Sequence, residues 1–224
     1  MALSTARNSD PAAKRKRRKD ARPGEIIAAG LSEFADNGYA ATRLDDVAKR
    51  AGVAKGTIYR YFEDKQALFL AAVQSHATPT IDSLENFIDK FEGSTRDLLT
   101  AMITTVHQKL VQGDLQILVR IILSEGRNFP ELSELYYREG VSKGQRVLQK
   151  IVQRGIARGE IRSGEAAELP IILMAPAIMA VMWRSTFDSQ QSIAPNTFLN
   201  AHLDLVLNGI LEPMEQTEGD DNLA

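Results

Sequence analysis

Apolar positions in this chain recur at three- and four-residue spacing, and no stretch alternates in the two-residue rhythm of a strand. Ile26, Ile27, Leu31 and Phe34 mark a first amphipathic helix. Leu44, Val47, Ala48 and Ala51 mark a second, and Val53, Ile58 and Phe62 a short third. Asp64 then caps a run from Lys65 to about Thr78, and Pro79 interrupts it before Ile81 to Phe91. Further helices are predicted over Thr95 to Gln112, Leu115 to Asn128, Glu131 to Arg158, Glu165 to Asp188 and Asn196 to Met214. Their breaks fall at Gly113-Asp114, Phe129-Pro130, Gly159 to Gly164 and Ser189 to Pro195. The chain shows no internal repeat, and the fold class is all-α.

Between Thr42 and Lys65 the second and third helices are separated by a glycine turn. Thr42 stands where an N-cap is needed, and Gly52 stands where a helix end takes the left-handed backbone. The third helix turns Ile58 and Phe62 inward. Its other face carries Lys55, Gly56, Thr57, Tyr59 and Arg60: donors, a planar ring and a gap in the wall of side chains. Such a face suits a helix that lies in a major groove and approaches phosphates closely. Spacing alone also fits a packing motif, with Tyr59 and Tyr61 half-buried.

The segment A-G-V-A-K-G-T-I-Y-R-Y-F-E-D-K-Q-A-L-F from Ala51 to Phe69 resembles the TetR family of bacterial repressors. The resemblance spans roughly Pro23 to Val73, including the N-G-Y turn at Asn37 to Tyr39, and thins to general architecture beyond His76. A second run, S-E-G-R-N-F-P-E-L at Ser124 to Leu132, is similar to a segment common in one subset of these regulators. The resemblance implies a three-helix helix-turn-helix reading domain followed by a larger helical domain for effector binding and dimerisation. It implies phosphate contacts from Thr42, Thr57, Tyr61 and Lys65, and groove contacts from Lys55, Gly56, Tyr59 and Arg60. It also implies a repressor that binds an inverted-repeat operator in double-stranded DNA as a homodimer and is released by a small, largely apolar effector.

Charge is partitioned along the chain. Through Ser75 there are fourteen Lys and Arg against nine Asp and Glu; after it, thirteen against twenty. A polyanion is therefore attracted to the first third, whatever the net charge of −2. Lys14 to Arg22 holds seven basic residues and one acid, which predicts a disordered segment: either a solvated tail or, placed before a DNA-reading domain, an arm that lies along phosphates or enters a minor groove. The expected organisation is a basic arm over 1–22, a reading domain over 23–75, an effector and dimerisation domain over 76–214 and an acidic tail over 215–224.

Cysteine is absent, which excludes disulfides and thiolate chemistry and fits a reducing cytoplasm. The N-terminus has no apolar targeting segment. The longest uncharged stretch, Leu169 to Trp183, is fifteen residues with two prolines, too short to span a bilayer and readable as a helix buried on nearly every side. His76, His107 and His202 have no metal-ligand spacing, and no catalytic motif appears, so neither cofactor nor metal is expected. In the last helix Leu199, Leu203, Val206, Leu207 and Ile210 form a stripe that, with the apolar helix before it, predicts a four-helix dimer interface; the alternative is that both helices complete a monomer core. For an effector, the adaptable and polar residues Met102, His107, Arg120, Glu125, Met174 and Trp183 are the candidates, although the same residues serve equally as ordinary core. The rival function is a helical protein that holds RNA or another polyanion without an effector.

Overall fold

The computed structural model describes residues 11–212, with side chains from Arg22 onward. The described chain is built from helices: α1 (Pro11–Ala41), α2 (Leu44–Arg50), α3 (Lys55–Ile58), α4 (Lys65–His76), α5 (Thr78–Lys90), α6 (Thr95–Val106), α7 (Leu115–Glu125), α8 (Pro130–Tyr136), α9 (Ser142–Ala157), α10 (Glu165–Glu168), α11 (Ala175–Thr186) and α12 (Pro195–Ile210). One isolated antiparallel bridge joins Ile161 to Leu211. The acidic tail expected over 215–224 lies outside the described residues.

Several helix ends follow from local chemistry. The Asp64 carboxylate accepts from the backbone N–H of Ala67 at 2.7 Å and starts α4, and Ser94 does the same for α6 through Asp97. Pro79 sits in the first turn of α5, where its missing N–H costs nothing. Gly52, at φ 63°, closes α2. Other ends depart from expectation. Arg43, not Thr42, precedes α2 as its cap; Thr42 is buried and its hydroxyl donates to the Gly38 carbonyl. The backbone over residues 14–22 is helical and continuous with α1 instead of disordered, in keeping with the high helix propensity of Ala, Lys and Arg. Three long helices are each interrupted. Wide π-type turns occupy His107–Val111 and Tyr137–Val141, and Pro170 forces a tighter 3₁₀ segment, Pro170–Met174, ahead of α11. Leu169 to Trp183 is consequently not a buried helix: Leu169, Ile172, Met179 and Met182 are exposed.

The largest core does not divide at residue 76. Ile26, Leu31, Phe34, Val47, Ile58 and Phe69 from α1 to α4 pack in one cluster with Leu118 and Ile121 of α7 and Leu132 and Leu135 of α8. A second cluster joins α5, α6, α9 and α12, and a third joins α7 to α11. The α12 stripe belongs to the second cluster: Val206 and Ile210 are buried in this chain's own core, with Leu199, Leu203 and Leu207 packed against it. Val206 and Ile210 are thus covered within the chain, while Leu199, Leu203 and Leu207 keep part of their surface exposed. Periodicity reveals an apolar face but not the body that covers it.

Candidate nucleic-acid interface

The first four helices form a small head whose interior is set by Phe34, Tyr39, Val47, Ile58, Phe62 and Phe69. Phe34, Tyr39 and Phe69 meet with ring centroids 5.6–6.1 Å apart, two of the three contacts edge-on. The turn between α2 and α3 is held by Gly52 N–H to Lys49 O and Val53 N–H to Ala48 O. This frame fixes the rotation of α3. Ile58 is fully buried, whereas its neighbour Tyr59 is 47% exposed, as residues 100° apart on a helix should be.

The outward face of α3 and of the turn that follows it presents Lys55, Gly56, Tyr59 and Arg60. A Cβ added to Gly56 would meet nothing within 4 Å, so the chain's own packing does not require glycine there. Thr57 and Tyr61 are half-buried at the edge, Tyr61 against the core. An acid that the sequence reading passed over joins this face. Asp45, in the first turn of α2, accepts from Lys55 Nζ at 2.6 Å and from the Tyr59 hydroxyl at 3.3 Å. The Lys55 hydrogen bond holds the Asp45 carboxyl below the usual range, and Asp45 in turn raises Lys55. In the sequence Asp45 reads as an ordinary first-turn acid with Lys49 four positions on, so nothing there marks its reach to α3.

Two residues expected at phosphates are engaged elsewhere. Thr42 is 3% exposed, and its hydroxyl proton closes the turn at Gly38. Lys65 donates to the carbonyls of Tyr39 and Ala40 at 2.8 and 3.0 Å and lies 4.4 Å from the centre of the Tyr39 ring. Burial pulls its pKa down, with Glu125 opposing. The N–H groups of the same two residues, Tyr39 and Ala40, donate to the two oxygens of Glu125, each at 2.7 Å. Glu125 ends α7 in the larger part of the chain. It clasps the head, with both carboxylate oxygens engaged there.

Of the other effector candidates, Met102 and Met174 meet in the second cluster. Met102 is core, Arg120 is exposed on α7, Met174 is half-buried beside the second cluster, and half-buried Trp183 donates from Nε1 to Gln191 O at 2.9 Å. His107 meets His202, its Nε2 2.9 Å from His202 Nδ1, while His202 Nε2 lies 2.7 Å from Leu173 O. A carbonyl only accepts, so His202 carries its proton on Nε2, His107 donates from Nε2, and His107 Nδ1 is left buried without a partner. Burial, then His202, pushes the His107 pKa down to about 4, and burial lowers His202. A groove of about 470 Å³ does lie between α5 and α6, lined by Leu84, Phe87, Ala101, Thr105 and Lys109 among others. None of the six candidates lines it.

Among the described residues no helix is long and apolar enough to cross a membrane, and no cluster of three or more His, Asp and Glu could hold a metal. Residues 26–72 match the family described as bacterial regulatory proteins, tetR family, and residues 91–193 match the tetracyclin repressor-like C-terminal domain. The fatty acid metabolism regulator protein of Bacillus subtilis is 32% identical over 146 residues, 62% of this chain and 71% of that protein. The transcriptional repressor KstR2 of Rhodococcus jostii is 23% identical over 212 residues, 87% of this chain and 94% of that one. The crystal structure of FadR from Bacillus subtilis in complex with stearoyl-CoA superposes with a TM-score of 0.69 at 24% identity, covering 84% of this chain and 98% of that one. The helix-turn-helix head on a larger all-helical body and these matches agree: the chain belongs to the TetR family of bacterial transcriptional regulators.

Proposed function

We propose that this regulator is a repressor that binds an inverted-repeat operator in the cytoplasm as a homodimer and is released by an apolar or amphipathic effector. The observation that carries the reading is the α3 face, where exposed Lys55, Gly56, Tyr59 and Arg60 stand outward on a helix fixed by buried Ile58. Those four residues meet base edges, and Thr57 and Tyr61 meet phosphates at the rim. The basic residues between Lys14 and Arg22 add phosphate contacts, each of which steepens the salt dependence of binding. On this reading 23–75 reads DNA and 76–214 responds to the effector and dimerises. Exposed Met179 and Met182 on α11 and Leu205 on α12 give the dimer patch.

A relative's name speaks of fatty acid metabolism and a structural neighbour holds stearoyl-CoA, so a long-chain acyl-CoA is the first effector to test. The groove beside α5 and α6, apolar at Leu84 and Phe87 with Lys109 at its side, suits an acyl chain and an anionic group. Release follows from linkage: an effector that binds better to a conformation with misplaced heads weakens operator binding by the same factor. The Glu125 clasp is the route, because it ties the end of α7 to the head.

The experiment is selection of duplexes from a random pool by the full chain, followed by gel shifts with and without stearoyl-CoA. An inverted repeat, released by the acyl-CoA, supports the whole reading. An inverted repeat that acyl-CoA leaves bound rejects only the effector class. Enrichment of no sequence, with equal binding to RNA, rejects the operator reading in favour of a general polyanion binder.

A further inference from the structure

The α2–α3 face carries an exposed ion pair that its stability does not explain. Lys55 and Asp45 are joined at 2.6 Å with side chains 69% and 38% exposed, and exposed pairs contribute little to folding. Asp46, next in sequence, pairs instead with Lys49 on its own helix at 2.8 Å. Asp45 thus reaches across to α3, ten residues away, and takes both Lys55 and the Tyr59 hydroxyl. An acid on a surface that must approach phosphates repels them. Its presence there asks for a compensating partner on the DNA.

We propose that Asp45 and Lys55 act together as the reader of one G·C base pair, with Asp45 a specificity-determining residue. The inference rests on the reading of α3 as the groove-facing helix. In a G·C pair the guanine O6 and the cytosine N4 amino group are hydrogen-bonded to each other, about 2.9 Å apart, and both show in the major groove. On the protein an ammonium donor and a carboxylate acceptor stand 2.6 Å apart. The two spacings match. Lys55 donates to guanine O6 and N7 with protons that the ion pair does not use, and Asp45 accepts the free proton of cytosine N4 with an unused lone pair. The ion pair survives docking, so neither charge meets the groove unpaired. An A·T pair places the thymine methyl beside O4 and offers the ammonium one acceptor where guanine offers two, so it fits less well. Away from this base pair the carboxylate faces phosphates with no amino group to accept from, which lowers affinity for random DNA. The Tyr59 hydroxyl holds the carboxylate from the other side and fixes its aim.

The test uses the full chain and the operator selected from a random pool, with Asp45→Asn, Lys55→Gln and the double variant. Wild-type operator half-sites should contain a G·C pair whose replacement by A·T weakens binding about 10-fold or more. Asp45→Asn should abolish that preference, bind random duplex more tightly, and melt at the wild-type temperature. Lys55→Gln should abolish the same preference, and the double variant should lose no more than either single change. If Asp45→Asn tightens binding to operator and random DNA equally and keeps every base preference, Asp45 is a surface charge and the proposal fails. A melting temperature lowered by many degrees makes Asp45 a structural residue, which also overturns it. Should Lys55→Gln and Tyr59→Ala alter base preference while Asp45→Asn does not, the pair fails and the α3 reading stands. Should none of the three change any preference of a protein that still selects an operator, the α3 reading itself is wrong.

Discussion

Replacing Glu125 with alanine should destabilise the chain by about 2–4 kcal/mol, although the residue lies at the end of a helix near the surface. The carboxylate receives two backbone N–H groups at 2.7 Å each, from Tyr39 and Ala40. A hydrogen bond to a charged group contributes ~1.5–3 kcal/mol when its loss leaves the partner unsatisfied. The Tyr39 N–H is partly buried and loses its partner outright. The Ala40 N–H is exposed and recovers a water, so its share is about 0.5–1 kcal/mol. Lys65, partly buried on the same turn, also loses the negative charge that supports its protonated form. For a chain of this size the sum corresponds to a fall in melting temperature of about 4–16 °C. Glu125→Gln should fall between the two, because one amide oxygen still accepts while the NH₂ group opposes the other N–H.

Urea unfolding gives the stability, and hydrogen exchange at the Tyr39 and Ala40 amides gives the location. Both amides should exchange faster in Glu125→Ala, Tyr39 by the larger factor. A variant within 0.5 kcal/mol of the parent, with the Tyr39 amide still protected, would refute the clasp as described.

Leu203→Glu with Val206→Glu should prevent folding, since both residues pack in this chain's second core, whereas Met179→Glu with Leu205→Glu should yield a folded monomer by sedimentation. Ile58→Ala should cost ~2–5 kcal/mol in thermal unfolding, and Tyr59→Ala should stay within about 0.5 kcal/mol while binding operator weakly. Gly56→Ala should stabilise α3 by about 0.4–1 kcal/mol, because the added methyl meets nothing, yet weaken operator binding by holding the helix off the base edges. With His107 held at about 4 in the native state against 6.5 unfolded, the unfolded chain binds the extra proton. Stability should therefore be full above pH 6.5 and fall by up to about 3 kcal/mol toward pH 4; His107→Gln should flatten that part of a stability–pH curve.

The sequence discloses features set by near neighbours. Asp64 caps α4 because its acceptor and the Ala67 N–H are three residues apart, and Ile58 turns inward because its periodicity matches that of Val53 and Phe62. Features set by distant neighbours stay hidden. The apolar stripe of α12 is visible, but that it covers α6 and α9 depends on where those helices lie. Leu205, one position from Val206, is the residue that faces out, at 64% exposure. His107 and His202 have no metal-ligand spacing in the sequence, yet they are each other's partner across 95 residues. Asp45 carried no mark of its role because its charge is absorbed by side chains ten and fourteen positions on.

Glu125 and Lys65 show how the same logic bears on regulation. In the sequence each is open to assignment to an external ligand, an effector for one and a phosphate for the other. Instead they close on opposite sides of one turn: the acid takes the N–H groups of Tyr39 and Ala40, and the base takes their carbonyls. Gly38 makes room at φ 73°, where an added Cβ would stand 2.8 Å from Glu125 Oε1. Four backbone polar groups of the head, from three successive peptide units, are thereby fixed by the last residue of α7 and the first of α4. A shift of α7 relative to α4 cannot leave both sets of bonds intact, because hydrogen bonds weaken steeply with distance and angle. On the proposed function, an effector that favours such a shift pays out its differential affinity at this turn, and the turn carries it to the α2–α3 face through the shared core of Tyr39, Phe69 and Ile58.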